Sequence, residues 1–160
     1  MLLLGVEGQV GPPWSPPFAH TIPHWEFEIA ENPAPGQYRY LQWAWKAPSE
    51  ATNSQTLLLN IENPGPGFAF YAGGKPPEAF TAQALKVVQM VERPPRDWKV
   101  ERVDLWALVQ EAKAANRFQG TARIRAMSLV SRGGPAAFDQ ILLGRTEADL
   151  KAALPGDNSR

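Results

Sequence analysis

The stretch QYRYLQWAWKA, residues Gln37 to Ala47, decides how the chain is read. Its aromatic residues do not gather on one stripe at helical spacing. As a strand it sorts into two faces. Arg39, Leu41, Trp43 and Trp45 point one way, and Tyr38, Tyr40, Gln42, Ala44 and Lys46 the other. The first face suits an interior, since each buried aromatic removes ~150–250 Å² from water. Trp43 and Trp45 are therefore expected in the core. The second face is amphipathic and suits a surface, where Tyr38 and Tyr40 become candidate ligand contacts. The plainer account of those tyrosines is cross-strand packing with satisfied hydroxyls.

Outward from this stretch, clusters of proline and glycine cut the chain into short pieces. GPPWSPPF (Gly11 to Phe18), ENPAPG (Glu31 to Gly36) and NPGPG (Asn63 to Gly67) suit neither regular helix nor central strand. GGKPP (Gly73 to Pro77), RPP (Arg93 to Pro95) and RGGP (Arg132 to Pro135) punctuate in the same way. Between them lie runs of strand length and composition: Leu2–Val6, Trp25–Ile29, Tyr38–Lys46, Thr56–Glu62, Phe68–Tyr71, Leu85–Glu92, Trp98–Val103, Ala122–Leu129 and Ala137–Leu143. In RIRAMSLV, alternation puts Ile124, Ala126 and Ser128 on one face and Arg125, Met127 and Leu129 on the other. Two stretches have helical spacing. DLWALVQEAKAA starts at Asp104, a good N-cap residue, and TEADLKAAL starts at Thr146 with Asp149 three residues on. Many short strands with few helices predict an all-β chain, an antiparallel β-sandwich or barrel with one or two short helices. The expected layout is one domain over residues 1–154 and a tail over 155–160.

Composition narrows the function classes. The chain has 160 residues, with 16 Lys plus Arg and 16 Asp plus Glu, so its formal charge is zero. Long-range attraction to nucleic acid or to an anionic membrane is thus not a driving force. With no cysteine there is no disulfide framework and no thiolate metal site. No apolar run reaches the ~20 residues of a membrane span. The opening MLLLGVEG lacks the features of a signal peptide, so an export signal would lie outside these residues.

The residues also carry a resemblance. GQYRYLQWAWKA resembles a pattern of the form EYRYLRFAWKK, found in a C-terminal β-sandwich module of large extracytoplasmic proteins of planctomycete-type bacteria. FAFYAGG (Phe68 to Gly74), DWKVERVDLWALV (Asp97 to Val109) and AAFDQILLGRTEADL (Ala136 to Leu150) resemble later motifs of the same module, in the same order. The resemblance runs from about Trp25 to Leu150. It implies a jelly roll of the galactose-binding-like or carbohydrate-binding-module kind, an extracytoplasmic location, and neighbouring domains in a parent protein. It carries no ligand residues with it. One departure stands out: after DLW the family has an acidic-aromatic-glycine turn, whereas ALVQEAKAANRFQG (Ala107 to Gly120) is longer and helical in pattern.

Chemistry-bearing candidates are few. His20 and His24 stand four apart, but Pro23 between them prevents the helical metal-binding arrangement, and they read as loop histidines. Glu26, Glu28 and Glu31 form E-x-E-x-x-E, close to the E-x-D-x-x-E spacing of β-jelly-roll glycosidases. Two carboxylates on one strand face are how retaining enzymes hold nucleophile and acid. The plainer account is a charged edge strand that resists aggregation. Asp139 is the candidate ligand of a structural calcium ion, although calcium needs six to eight oxygens and no local run supplies them. A carboxylate bonded to backbone amides or to Arg145 is the simpler alternative. Trp14, between two proline pairs, is stiffened at low entropy cost and suits stacking on a sugar ring, or plugging one end of the fold. Trp25 and Tyr71 are weaker versions of the same case. There is no G-x-S-x-G elbow and no phosphate-binding glycine loop.

Three functions follow in order. The first is a non-catalytic carbohydrate-binding module that takes glycan through Trp14, Trp25, Tyr38, Tyr40 and Tyr71. The second is a structural or protein-interaction domain in which the same aromatics dock a partner. The third is a small glycoside hydrolase acting through Glu26 and Glu28.

Overall fold

The structure is a computed structural model that describes residues 2–4, 18–22, 25–61, 67–76 and 78–153. Along the chain it forms β1 (Leu2–Leu4), β2 (Phe18–Ile22), β3 (Phe27–Ile29), β4 (Gln37–Tyr38), β5 (Tyr40–Lys46), β6 (Ser54–Asn60) and β7 (Gly67–Gly73). Then come α1 (Glu78–Gln83), β8 (Lys86–Val91), β9 (Lys99–Asp104), α2 (Leu105–Ala114), β10 (Arg123–Ile124), β11 (Ala126–Arg132), β12 (Ala136–Gly144) and α3 (Glu147–Ala153). The chain is therefore β-rich, as its pattern predicts, and every expected strand has a counterpart. The two expected helices are α2 and α3. Sequence reasoning missed α1 and β2; His20 belongs to β2 rather than to a loop.

The strands make three sheets, ordered β1-β12-β5-β9, β10-β3-β4 and β2-β11-β6-β7-β8. Pairing is antiparallel except for β3 with β4 and β7 with β8. The second exception has a local cause: α1 lies in the connection from β7 to β8, and parallel neighbours need such a crossover.

Trp43 and Trp45 are fully buried, as expected. Their rings meet edge to face at 5.3 Å. Trp43 then reaches across to Phe70 of β7, with centroids 5.0 Å apart, and Trp45 to Phe138 of β12 at 6.2 Å. Leu57, Leu59, Phe68, Met127 and Leu129 of the five-stranded sheet join the same core as Leu41 of β5. The four- and five-stranded sheets thus share one interior, and truncating either tryptophan falls in the class that costs about 3–5 kcal/mol.

Two breaks reassign faces that simple alternation gets wrong. An uninterrupted strand from Tyr38 to Lys46 would keep Tyr38 and Tyr40 on one side. The chain instead leaves the small sheet at Arg39, so Tyr38 packs on Phe27 at 5.8 Å while Tyr40 starts the outer face of β5. The second break falls at Arg125. Ile124 joins the core through β10, and Met127 and Leu129 join the same core through β11, so the inward parity changes at Arg125.

The Arg39 break is pinned by Asp104. Its Oδ2 accepts from Arg39 Nε at 3.0 Å and Nη2 at 2.7 Å, while Oδ1 accepts from the Ala107 amide at 3.2 Å and caps α2. Hydrogen bonding to Asp104 holds the Arg39 guanidinium above its ordinary range, against some desolvation. That contribution is fully present below the ordinary arginine range and fades only as pH rises through the raised value, so it does not titrate under working conditions.

Two stability measurements follow. Asp104→Ala removes a cap and a part-exposed ion pair, so urea unfolding should show a loss of about 2 kcal/mol, and Asp104→Asn about half of that. A loss under about 0.5 kcal/mol for the alanine variant would show that neither contact matters. Gln55 is fully buried on the inward face of β6, and neither polar atom of its side chain has a partner among the described residues. Gln55→Met should therefore raise stability by about 1 kcal/mol, whereas a comparable loss would reveal a hidden partner for the amide.

Candidate functional site

The outer face of the four-stranded sheet carries the candidate site. The pleat of β5 sends Gln42, Ala44 and Lys46 outward, opposite Trp43 and Trp45. Register then assigns the neighbours. On β9, Val100 lies opposite Ala44 and Arg102 opposite Gln42. On β12, Asp139 lies opposite Ala44 and Leu142 opposite Gln42. Trp98, immediately before β9, continues this face, and Lys46 Nζ lies 4.9 Å from its ring centroid.

Trp98 and Val100 are the two large apolar side chains most open to solvent among the described residues, at 41% and 47% exposure. The approach to Trp98 is held rather than loose. Pro95 O accepts from the Ala47 amide at 2.6 Å, and Arg96 Nη1 donates to the carbonyls of Ala47 and Ser49. Two prolines, one backbone hydrogen bond and the Arg96 side chain on two carbonyls thus fix the segment that presents the indole. Further along the face, Arg102 donates from Nε at 3.1 Å and Nη2 at 2.6 Å to Gln42 Oε1, whose own side chain is fully buried.

At the opposite end, α3 covers the same face. A Cβ on Gly144 would stand 2.8 Å from Leu150 Cγ, so glycine lets α3 sit against β12. The helix start is a reciprocal cap, as its sequence predicts. Asp149 accepts from the amides of Arg145 at 3.0 Å and Thr146 at 2.9 Å, and its own amide donates to Thr146 Oγ1 at 3.2 Å. The Thr146 amide above all holds the Asp149 carboxyl below its ordinary range.

The five aromatics expected to contact ligand do not converge. Trp14 lies outside the described residues. Trp25 and Tyr38 do come together, each edge-on to Phe27 at 6.3 and 5.8 Å, but as half-buried packing at the margin of the core. Tyr40 is half-buried at the other end of β5, with the Arg39 guanidinium 5.3 Å from its ring centroid. Tyr71 is 7% exposed, so it offers no ring face to a ligand. β7 runs between β6 and β8 and is buried on both faces along its length, Tyr71 included. Trp98 was missed because WKVERVD mixes apolar and charged residues on both alternating faces, so its pattern does not say which face is in. The available signal was the one applied to Trp14: an aromatic just after a proline pair.

Asp139 stands where β12 bulges. The register shifts between Asp139 and Leu142, Gln140 takes φ 49°, and Asp139 Oδ1 accepts from the Gln140 amide at 2.8 Å. Among the described residues no group of three or more acids and histidines gathers to hold a metal ion. Glu26 and Glu28 share the outer side of β3 and line a cleft of about 300 Å³ with Gln37 and Arg123. Glu26 Oε2 lies 3.4 Å from both Arg123 and Arg125, and Glu28 Oε1 accepts from Gln37 Nε2 at 2.8 Å. Glu31 takes part through its backbone carbonyl, which accepts from Arg39.

No helix among the described residues is long and apolar enough to cross a membrane. Comparison with family models, with curated proteins and with solved structures returned no match.

The Asp149 cap gives a pH prediction. A carboxyl with a lowered pKa contributes stability that is present above its unfolded value and lost as pH falls through the folded value. The melting temperature of wild type should therefore exceed that of Asp149→Asn at neutral pH, and the gap should close below roughly pH 4. A gap that persists unchanged at pH 2 would assign the effect to something other than the carboxylate.

Proposed function

We propose that the chain is a non-catalytic β-sandwich module of the jelly-roll, galactose-binding-like kind that binds glycan on the outer face of the four-stranded sheet. The observation that carries this is Trp98: an indole 41% exposed, fixed by a hydrogen-bonded proline segment, on a sheet face with polar groups beside it. A pyranose ring offers an apolar C–H face edged by hydroxyls. An exposed indole with Lys46 beside it and Arg102 further along the face matches both parts of that surface. Fixing the indole before the ligand arrives limits the ordering entropy that binding costs.

The size of the patch favours a sugar over a protein partner. A stable protein interface buries about 800 Å² on each side around an apolar centre. Trp98 with Val100 is closer to the area of one ring. The motifs that resemble the planctomycete-type module support the same reading, together with an extracytoplasmic setting and neighbouring domains. Binding would run through Trp98, with Trp25, Tyr38 and Tyr40 serving packing. The hydrolase alternative would use Glu26 and Glu28, of which Glu26 Oε2 already faces Arg123 and Arg125 and Glu28 Oε1 already accepts from Gln37.

Affinity electrophoresis and tryptophan fluorescence against a panel of soluble polysaccharides test this, with calcium and with chelator. Wild type should shift with one glycan class, and Trp98→Ala should weaken that binding about tenfold or more. Trp25→Ala, which alters packing away from this face, should bind as wild type does. Normal binding by a folded Trp98→Ala variant would remove the site. Loss of binding in chelator alone would bring Asp139 and calcium into it.

A further inference from the structure

Resting on that reading, we infer that the glycan is an acidic one, a uronate polymer whose carboxylates pair with Lys46 and Arg102 while a ring stacks on Trp98. Lys46 Nζ meets the Trp98 ring, and Arg102 meets the neutral amide oxygen of Gln42. Neither forms an ion pair among the described residues, whereas Lys86 and Lys99, on β8 and β9, are matched to Glu111 and Glu101 at 2.8 Å. Of the acids on or beside this face, Asp104 is committed to Arg39 and to the α2 cap, Asp139 accepts from the Gln140 amide, and Asp97, directly before Trp98, is exposed and makes no ion pair with Lys46 or Arg102 among the described residues. On this face Lys46 and Arg102 are thus two cations that no carboxylate among the described residues neutralises by direct contact.

The geometry of Arg102 sharpens the inference. Its Nε and Nη2 donate together to Gln42 Oε1, which uses one edge of the guanidinium. The other edge, formed by Nη1 and Nη2, keeps two parallel donors, the fork that takes a carboxylate bidentately. Gln42 is fully buried beside it, so the fork is aimed by a fixed group. Gln42 is in this sense a positioning residue. Along β9, Trp98 and Arg102 are four residues apart, roughly 13 Å at strand rise. That span exceeds one sugar ring, so the ligand is a chain rather than a monosaccharide. Lys46, at the indole, meets a charge close to the stacked ring, and Arg102 meets one further on.

The test uses polygalacturonate, alginate and hyaluronate, each beside its carboxyl-reduced counterpart, and a single-stranded oligonucleotide as a different polyanion. One of the acidic polymers should bind at least tenfold more tightly than its reduced form. Sodium chloride at 0.5 M should weaken that binding several-fold, since exposed pairs are screened within a few ångströms. Lys46→Met with Arg102→Met keeps the aliphatic stems and should bring affinity down to that of the reduced polymer. Trp98→Ala should weaken binding to both about tenfold or more. Equal affinity for charged and reduced forms, untouched by salt or by the methionine pair, would overturn the acidic ligand and leave the glycan-binding reading standing. Oligonucleotide binding as tight as that of any polysaccharide would also overturn it. Binding to none of these polymers, nor to any neutral one, would overturn both. The salt series needs no variant, so a failure of the double variant to fold does not protect the inference.

Discussion

One carboxylate organises the middle of this molecule. Asp104 ends β9, caps α2 with one oxygen and holds the Arg39 guanidinium with the other. Because the two oxygens serve different elements, the helix start, the edge strand and the crossing from β4 to β5 are fixed by one group. Next to it, the Leu105 amide donates to Arg39 O at 2.7 Å, and the Arg39 amide donates to Gly144 O at 3.1 Å. The face assignment of β5 depends on this junction. Were Tyr38 and Tyr40 continuous, either the tryptophans or the Phe27 contact would lose its place.

Most of the architecture was legible from alternation and punctuation. Trp43 and Trp45 were expected inside on pattern alone, and they are, because a face of Leu, Trp and Trp has no other low-energy location. The capping residues Asp104 and Thr146 marked two helices at their starts, since few residue types satisfy the free amides there. What pattern did not carry is where a strand changes partner. In sequence Arg39 and Arg125 look like ordinary members of continuous strands, yet each is a switch between sheets, and each is held by a distant acid, Asp104 or Glu26. Those contacts span 65 and 99 positions, beyond any local window. β2 was hidden by the histidines and prolines around it, and α1 by the proline cluster before it.

The site was less legible than the fold for a related reason. Aromatic residues are conspicuous in a sequence, but whether one is open depends on how many neighbours its strand acquires. Tyr71 sits mid-sheet and is closed, while Trp98 sits at an edge and is open. The parity of Gln42, Ala44 and Lys46, opposite the tryptophans, was correctly read from β5, although the surface expected there is closed at Gln42 and Ala44, which are buried. The strands that flank it supply the rest, and their register is a tertiary fact. Lys46 and Arg102 are unremarkable one at a time; only pairing of β5 with β9 shows that both lie on the face that carries Trp98.

The strand order also constrains how the chain can assemble. β12 runs between β1 and β5, and β11 runs between β2 and β6. Central strands of both larger sheets therefore come from the last third of the described chain. Until residues beyond Ala126 are available, β1 and β2 lack the strands that join them to β5 and β6. The closing contacts bridge most of the chain, with Leu3 opposite Ala137 and Thr21 opposite Ser128. Loops of that size are slow to close, and the open edges of β5 and β6 are exposed meanwhile. The fold is thus completed by insertion rather than by growth from one end, which makes its late strands the point where synthesis, folding and aggregation compete.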